Sequence, residues 1–536
     1  MVAERDASAG APARSSTPTG PPLWLLMAVA LVSGALTALA FSPTSVVAFA
    51  VLGPAAALWA CAQARSGRRG ALCGLAYGAA FAYASYRWML ELDVIAYVVL
   101  SLLQAVFWAF TGLVTARMAQ LPRGWWVAAV TATWTLAEAA RARFPMSGFE
   151  WGQLGIATAD TPLRRAAAVV GVLGVTALLV AVAAGLAVMV MDRRLRSGAP
   201  LGLSALALGL LVALGTVTWT TPDGTLQVAV VQSENPCPGA FAEDCPGYID
   251  VLLETYVAGT AALRATPDLV VWGEDALVGA ETLDAVGRQF VDGFGPLRAP
   301  LLAGTATPAG PGRFYRQVAL FDRDGTPLDD YAKRQPVPFG EYVPFRHLLG
   351  GISDVGRLVP SDAVPGRDTS PIVVPTGGDP ALLGTVISWE VTFSRLVRDV
   401  GRDANGLATL TTVSSYGRSA APEQLLDAAQ MRAAEQQKSM VVAATTGTSG
   451  VILPTGELPE TTALLRADSL TADMPLRAGL TPFGRTGDLP AVVLAAAALS
   501  LAVWRARTAR RNGTAASALS PSAPADAEPV DSTLRA

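Results

Sequence analysis

Histidine is almost missing from this chain of 536 residues; it occurs once, as His347. A Ser-His-Asp triad, a His-rich zinc centre or a histidine-ligated haem would each have to be built around that single residue. Charge is scarce as well. Asp, Glu, Lys and Arg make up 15% of the chain, where soluble domains carry roughly a quarter, so the composition argues against an ordinary soluble enzyme. Cysteine is limited to four residues, too few for a disulfide-dense scaffold. No Lys/Arg tract is long enough to follow a phosphate backbone, and with a net charge of −3 nucleic-acid binding has no support. Lysine stands only at 333 and 438, arginine supplying every other basic residue.

What the chain has in excess is apolar length. Hydrophobic residues reach 51% and mean hydropathy is +0.40. Runs of about the length that crosses ~30 Å of hydrocarbon fall at 22–41, 45–63, 70–88, 93–115, 124–141, 165–191 and 200–220, with an eighth at 488–504. The pattern predicts a polytopic helical membrane protein. Arginines follow the even-numbered segments: Arg65, Arg68 and Arg69; Arg117 and Arg123; Arg193, Arg194 and Arg196; Arg505, Arg507, Arg510 and Arg511. The positive-inside rule places those ends in the cytoplasm. Arg141, Arg143, Arg164 and Arg165, around the loop between segments five and six, argue the other way and are outnumbered. The expected organisation is a disordered cytoplasmic tail at 1–21, a seven-helix region at 22–221, an extracytoplasmic domain at 222–487, an eighth transmembrane helix at 488–504 and a disordered cytoplasmic tail at 505–536.

The region 222–487 has a different character. Val/Ile/Leu-rich runs at 226–232, 268–274, 300–306, 317–322, 382–390, 407–415, 440–446 and 450–457 alternate with helical stretches near 248–265, 393–403 and 423–438. Continuous apolar strands with helices between them indicate an α/β sheet covered on its faces. Polar residues close three of the strand regions: Glu274 after DLVVWG, Lys333 after the DGTPLDDY region, and Ser388 in VISWE. Strand ends in α/β sheets are where side chains leave the packed sheet and meet ligand. A carboxylate, an ammonium and a hydroxyl form an acyl-transfer set without histidine: the carboxylate takes the nucleophile's proton and the ammonium supports the developing oxyanion. Taken singly, each has a commoner role, a solvated or paired charge for Glu and Lys and a helix cap for Ser.

The strings VVWGED (270–275), YAKRQPVPFGEYVPF (331–345) and VISWEVTFSRLVRD (386–399), in that order behind seven apolar segments and ahead of an eighth, resemble apolipoprotein N-acyltransferase, the membrane-embedded branch of the nitrilase superfamily. FPMSGFEWGQLG (144–155) resembles that family's Gly-Phe-x-Trp stretch. The resemblance implies an extracytoplasmic nitrilase-like α-β-β-α sandwich mounted on a bundle of about eight transmembrane helices in a bacterial plasma membrane. It also implies transfer of an acyl chain from a phospholipid to the free α-amino group of a lipoprotein's diacylglyceryl-cysteine, through a covalent acyl-enzyme, by a monomer without cofactor or metal. By position, Glu274 matches the general base, Lys333 the lysine that stabilises the intermediate and Glu341 the second glutamate; Trp389 and Glu390 fall beside the nucleophile as supporting residues.

The nucleophile departs from the pattern. Where the family has Cys-Tyr-Glu this chain reads Ser388-Trp389-Glu390. A thiol ionises near neutrality, whereas a hydroxyl must give its proton to a base during attack. Further departures are SSYGRSAAPEQ (414–424) in place of an Asn-Asp-x-Trp-Phe stretch, TTGTSG (445–450) in place of an Asn-Asn-Gly turn, and Gln335 where histidine is common. The expectation is an N-acyltransferase with a serine nucleophile. The alternatives are a catalytically impaired homologue that binds lipoprotein or lipid as a partner, and a membrane-surface amidase or esterase. Cys237 and Cys245, with seven residues between them in a Pro/Gly-rich loop of the exported region, are expected to form a disulfide; Cys61 and Cys73 lie in or near apolar segments.

Overall fold

The computed structural model describes residues 20–192, 198–234, 237, 245, 247–349 and 359–518. Arg193, Arg194 and Arg196 and most of both expected tails lie outside the described residues. All eight apolar segments are helices: α1 (Leu23–Ala38), α2 (Phe49–Gln63), α3 (Gly67–Ser85), α4 (Val94–Arg117), α5 (Arg123–Arg141), α6 (Ala167–Asp192), α7 (Ala199–Gly215) and, after the sheets, Leu489–Ala518. By length and apolarity three stretches among the described residues suffice to cross a membrane: Val94–Arg117, Pro162–Asp192 and Leu489–Ala509. α1, α2 and α7 are apolar but shorter, while Arg68, Arg69, six alanines and four glycines dilute α3.

Small residues bring these helices together. Gly70, Gly74 and Gly78 of α3 face Trp108 and Gly112 of α4, and a Cβ on Gly74 would lie 2.1 Å from the Trp108 carbonyl oxygen. Apolar helices in an apolar solvent gain little from hydrophobicity and rely on such close backbone approach. α6 is broken at Gly171, whose φ of 67° and ψ of 174° no other residue type adopts easily.

The connections sort to opposite ends of the bundle. After α1, the Ser42 carbonyl accepts from Gln424; after α3, Trp88 packs edge-on to Tyr416; after α5, Trp151 Nε1 donates to Gln424 Oε1 at 2.7 Å. All three odd connections therefore meet the 222–487 region. At the other end Arg69 reaches the Pro21 carbonyl, Arg123 pairs with Asp192 at 2.6 Å and Arg505 lies over the Trp125 ring.

The 222–487 region holds two sheets. One runs β12-β1-β2-β3-β4-β5, with β1 Thr221–Gln232, β2 Leu269–Val271, β3 Leu301–Pro308, β4 Arg313–Phe321, β5 Pro327–Ala332 and β12 Asp468–Ala478; β6 (Asp362–Ala363) pairs with β4. The other runs β11-β10-β9-β8-β7, with β7 Ile372–Val374, β8 Ala381–Ile387, β9 Gly406–Thr411, β10 Met440–Ala444 and β11 Gly450–Ile452. β1–β3 and β8–β10 are parallel sets. Period-2 alternation divides the side chains. Val228, Val230, Leu269, Val271, Leu302 and Leu320 join Leu383, Leu407 and Met440 in one core between the sheets. Val231, Val270, Leu301 and Phe321 instead pack outward with Tyr256 and Phe290, which belong to the helices Tyr248–Ala261 and Leu283–Phe294. The helices Ser394–Val400 and Ala421–Gln436 belong with the second sheet. This is the α-β-β-α arrangement expected. β12 and the helix Leu283–Phe294 were not foreseen: β12 reads DSLTADMPLRA, polar and with only two buried residues, and no apolar run marks it.

Candidate active site

The site gathers at the ends of the parallel strands. Glu274 lies just beyond β2, Lys333 just beyond β5 and Ser388 just beyond β8, and all are buried. Lys333 Nζ donates to Glu341 Oε1 at 2.7 Å and to Glu274 Oε1 at 3.3 Å. Glu274 Oε2 accepts from the Thr412 backbone at 2.9 Å, and Glu341 Oε2 accepts from Val337 N at 2.8 Å. A second cation was not anticipated: Arg316 Nε lies 2.9 Å from Glu341 Oε1 and 3.9 Å from Glu274 Oε1, while its NH1 bonds Asp275. Arg316 is one arginine among many in an edge-proximal strand, and nothing in its local pattern sets it apart.

Two carboxylates sharing one ammonium do not behave alike. Burial drives the Glu274 carboxyl above the usual range, with Lys333 and Arg316 offsetting only part of that rise. For Glu341 burial works in the same direction, but Lys333 at hydrogen-bond distance and Arg316 outweigh it and hold the group below its ordinary value. Burial would lower Lys333, yet Glu274 and Glu341 keep it raised and charged. The result is a fixed cation, a fixed anion and one carboxylate with raised proton affinity, as a general base requires.

Ser388 sits in the left-handed region, φ 54°, where a non-glycine residue is uncommon and marks a constrained site. The turn Ser388–Thr392 that follows is held by Glu390, which is fully buried. Its Oε1 accepts from Arg334 N and Gln335 N, each at 2.8 Å, and its Oε2 accepts from Ile387 N at 2.8 Å and Tyr331 OH at 3.0 Å. Glu390 thus fastens the serine turn to the segment carrying Lys333. Trp389 Nε1 donates to the Gln335 carbonyl at 2.6 Å, and its ring stands perpendicular to Phe393. The register pairs Ile387 with Leu410, which sets Ser388 beside Thr411. Thr411 Oγ1 donates to Ser388 Oγ at 3.4 Å, and the Thr411 carbonyl accepts from Glu274 N, also at 3.4 Å. Among the described residues no hydrogen bond joins Ser388 directly to Glu274 or Lys333; Thr411 and Thr412 stand between them.

The loop 142–155 closes one side. Ser147 O accepts from Gln335 and Arg395, and Glu150 Oε2 accepts from Ser394 N at 2.9 Å. SSYGRSAAPEQ retains one aromatic at the site, Tyr416, against Trp88 at 5.3 Å. Cys237 and Cys245 are disulfide-bonded, Cα atoms 6.0 Å apart, and Cys61 and Cys73 are free and buried. His347 is exposed. No group of three or more potential metal ligands occurs among the described residues.

Residues 33–186 match the apolipoprotein N-acyltransferase N-terminal domain, and residues 227–459 match carbon-nitrogen hydrolase. An apolipoprotein N-acyltransferase of Chromobacterium violaceum is 31% identical over 535 residues, an alignment covering 93% of this chain and 98% of that protein. The chain belongs to the apolipoprotein N-acyltransferase family. The protein of that name from Rhodopseudomonas palustris is 27% identical, covering 90% of this chain and 96% of its own length. Among solved structures, an amidase from Nesterenkonia sp. shows 21% identity over 48% of this chain and 92% of its own, at a TM-score of 0.34. The α/β assignment of residues 222–487 rests on the strand order above and on the carbon-nitrogen hydrolase match. In this acyltransferase family member, Glu274, Lys333, Glu341, Trp389 and Glu390 form one connected cluster, with Ser388 joined to it through Thr411.

Proposed function

We propose that this chain transfers an acyl chain from a phospholipid to the N-terminal amine of a diacylated lipoprotein, by way of an acyl-Ser388 ester. The observation that carries the reading is the buried Glu274–Lys333–Glu341 cluster at the strand ends, within hydrogen-bonded reach of the Ser388 turn. Ser388 Oγ attacks the phospholipid ester carbonyl and Glu274 takes its proton. Lys333, with Arg316 behind it, stabilises the oxyanion in a site from which water is largely removed. Glu274 returns the proton to the departing lysophospholipid. The lipoprotein amine then attacks the ester, losing its proton to Glu274 and freeing Ser388.

Sorting of the helix connections supports an organisation in which 222–487 lies on the extracytoplasmic face of a bacterial plasma membrane, with the basic ends in the cytoplasm. Three of the four arginines that opposed this orientation lose much of their weight. Arg141 is buried against Glu138 and donates to the Phe149 and Trp151 carbonyls, Arg143 approaches Asp488, and Arg164 donates to the Thr455 carbonyl. Arg141 ties the loop to α5 and Arg164 ties it to the 222–487 region, and charges committed to such contacts do not report sidedness.

Mass spectrometry of lipoprotein N-termini from cells with and without the chain tests the function. An added acyl group that depends on the chain, and is lost in Glu274→Gln, is the expected result. Diacyl forms unchanged by the chain would favour a silent homologue that binds lipoprotein or lipid, a reading supported by one observation: Ser388 Oγ accepts from Thr411, and no group among the described residues accepts its proton. Chain-dependent hydrolysis of small amides or esters without lipoprotein acylation would favour the amidase or esterase reading.

A further inference from the structure

Beneath the Ser388 turn is a cavity walled by Ser388, Thr409, Thr411 and Thr448 and roofed by Leu425 and Ala429 of the helix Ala421–Gln436. Thr409 and Thr411 are two residues apart on β9, so both side chains stand on the same face of the sheet. Thr411 Oγ1 donates to Ser388 Oγ. Thr409 is 2% exposed, and its Oγ1 has no hydrogen-bond partner among the described residues. A buried hydroxyl without a partner is unfavourable, and buried polar atoms of this kind are where ordered water binds. The cavity offers about 20 Å³ to the centre of a water-sized sphere, where roughly 10–15 Å³ suffices for one water with two to four polar partners.

We propose that Thr411 directly, and Thr409 through one water bound in this cavity, form a hydroxyl relay that makes Ser388 competent as a nucleophile. The proposal rests on the reading of Ser388 as the acylated residue and supplies what replacement of cysteine by serine removes. As Oγ gives up its proton to Glu274, negative charge grows on it, and a donor already aimed at that oxygen favours the charged form. The bound water donates to Thr411 Oγ1 and accepts from Thr409, which polarises the chain of hydroxyls toward Ser388. A thiolate, larger and intrinsically more acidic, needs this support far less.

Labelling of the detergent-solubilised full chain with a fluorophosphonate tests the relay without an acyl acceptor. The Oγ–P bond forms, the P–F bond breaks with loss of fluoride, and the Ser388 proton passes to Glu274; peptide mass spectrometry gives the rate at Ser388. Thr411→Val should slow labelling roughly tenfold or more, the scale of one hydrogen bond to a charged group. Thr411→Ser should restore most of the rate, and Thr409→Val, which keeps the shape but loses the hydroxyl, should slow it several-fold. Thermal unfolding of each variant monitors folding. In a Ser388→Cys chain, Thr411→Val should slow alkylation by iodoacetamide much less than it slows labelling of the serine. Equal slowing in both backgrounds, or a Thr411→Ser chain as slow as Thr411→Val, would overturn the relay while leaving Ser388 as nucleophile. A native Ser388 that resists labelling in a chain whose Ser388→Ala variant still transfers acyl groups would overturn both.

Discussion

At the residue scale the site depends on unequal treatment of similar groups. Glu274 and Glu341 share Lys333, yet burial governs the first and the cations govern the second. In the proposed role of base Glu274 works only when ionised, so reactivity at Ser388 should rise with pH along a limb displaced above the ordinary carboxylate range. Lys333→Met, which removes a charge that lowers the Glu274 carboxyl, should move that limb to still higher pH; the pH profile of Ser388 labelling measures it, and an unmoved limb would remove Glu274 from the role of base. The backbone at Ser388 makes a second prediction. With φ at 54°, a β-branched side chain is disfavoured, so Ser388→Thr should lose acyl transfer nearly as completely as Ser388→Ala although it keeps a hydroxyl, and should unfold at lower temperature than Ser388→Ala. Glu274 and Ser388 were legible as candidates because each closes a Val/Leu/Ile-rich strand region where a polar residue needs a reason, and Lys333 because lysine is so rare in an arginine-rich chain. Arg316 and Thr411 were not. Arg316 reaches the site only because β4 pairs antiparallel with β3 and β5, and Thr411 only because β8 and β9 run in a register that no local pattern encodes.

Elements differ in how openly they declare themselves. The apolar runs at 226–232, 300–306 and 440–446 became strands because Val, Ile and Leu fill both faces of a covered sheet. β12, half exposed and polar, carries the alternation of an edge strand and was lost among loops. The eight apolar segments all became helices, but hydropathy overstated several of them, since the chain turns at Leu39–Ala48 before α2 begins. Where the bundle is tightest the cause is glycine. Gly74→Leu would drive a side chain into the α4 backbone, where even a Cβ lies 2.1 Å from a carbonyl oxygen, and should lower both the yield of folded protein in membranes and its unfolding temperature. An exposed control with nothing near its Cβ, Gly202 on α7, should accept alanine with little change. Equal effects at the two positions would refute the seam.

Across the whole molecule, buried charges tie the helical half to the catalytic half. The break in α6 at Gly171 leaves Val172 N free of its helical partner, and Glu435 of the catalytic region accepts it at 2.8 Å while also accepting from Ser394 Oγ. Glu150, from the loop after α5, accepts from Ser394 N. Burial raises both carboxyls to about 7, against the partial offset of Arg432. An acid whose folded pKa exceeds its unfolded value binds more protons when folded, so its contribution is fully present below pH 4.5 and is lost as pH rises toward 7. The unfolding temperature of the solubilised chain should therefore fall between pH 5 and pH 7.5, and Glu435→Gln or Glu150→Gln should flatten that slope; a slope unchanged in both variants would contradict the assignment. The same seam holds the Ser388 turn in place, since Ser394 opens the helix that follows it. The proposed reaction turns on one chemical event, formation of an ester on Ser388. Incubation of the purified chain with phosphatidylethanolamine in detergent, without an acceptor, followed by peptide mass spectrometry, observes that event directly. One acyl chain is expected on the peptide containing Ser388, matched by an equal amount of lysophospholipid, with both absent in Ser388→Ala. Lysophospholipid release from Ser388→Ala at the native rate, or an acyl adduct on another residue, would contradict it.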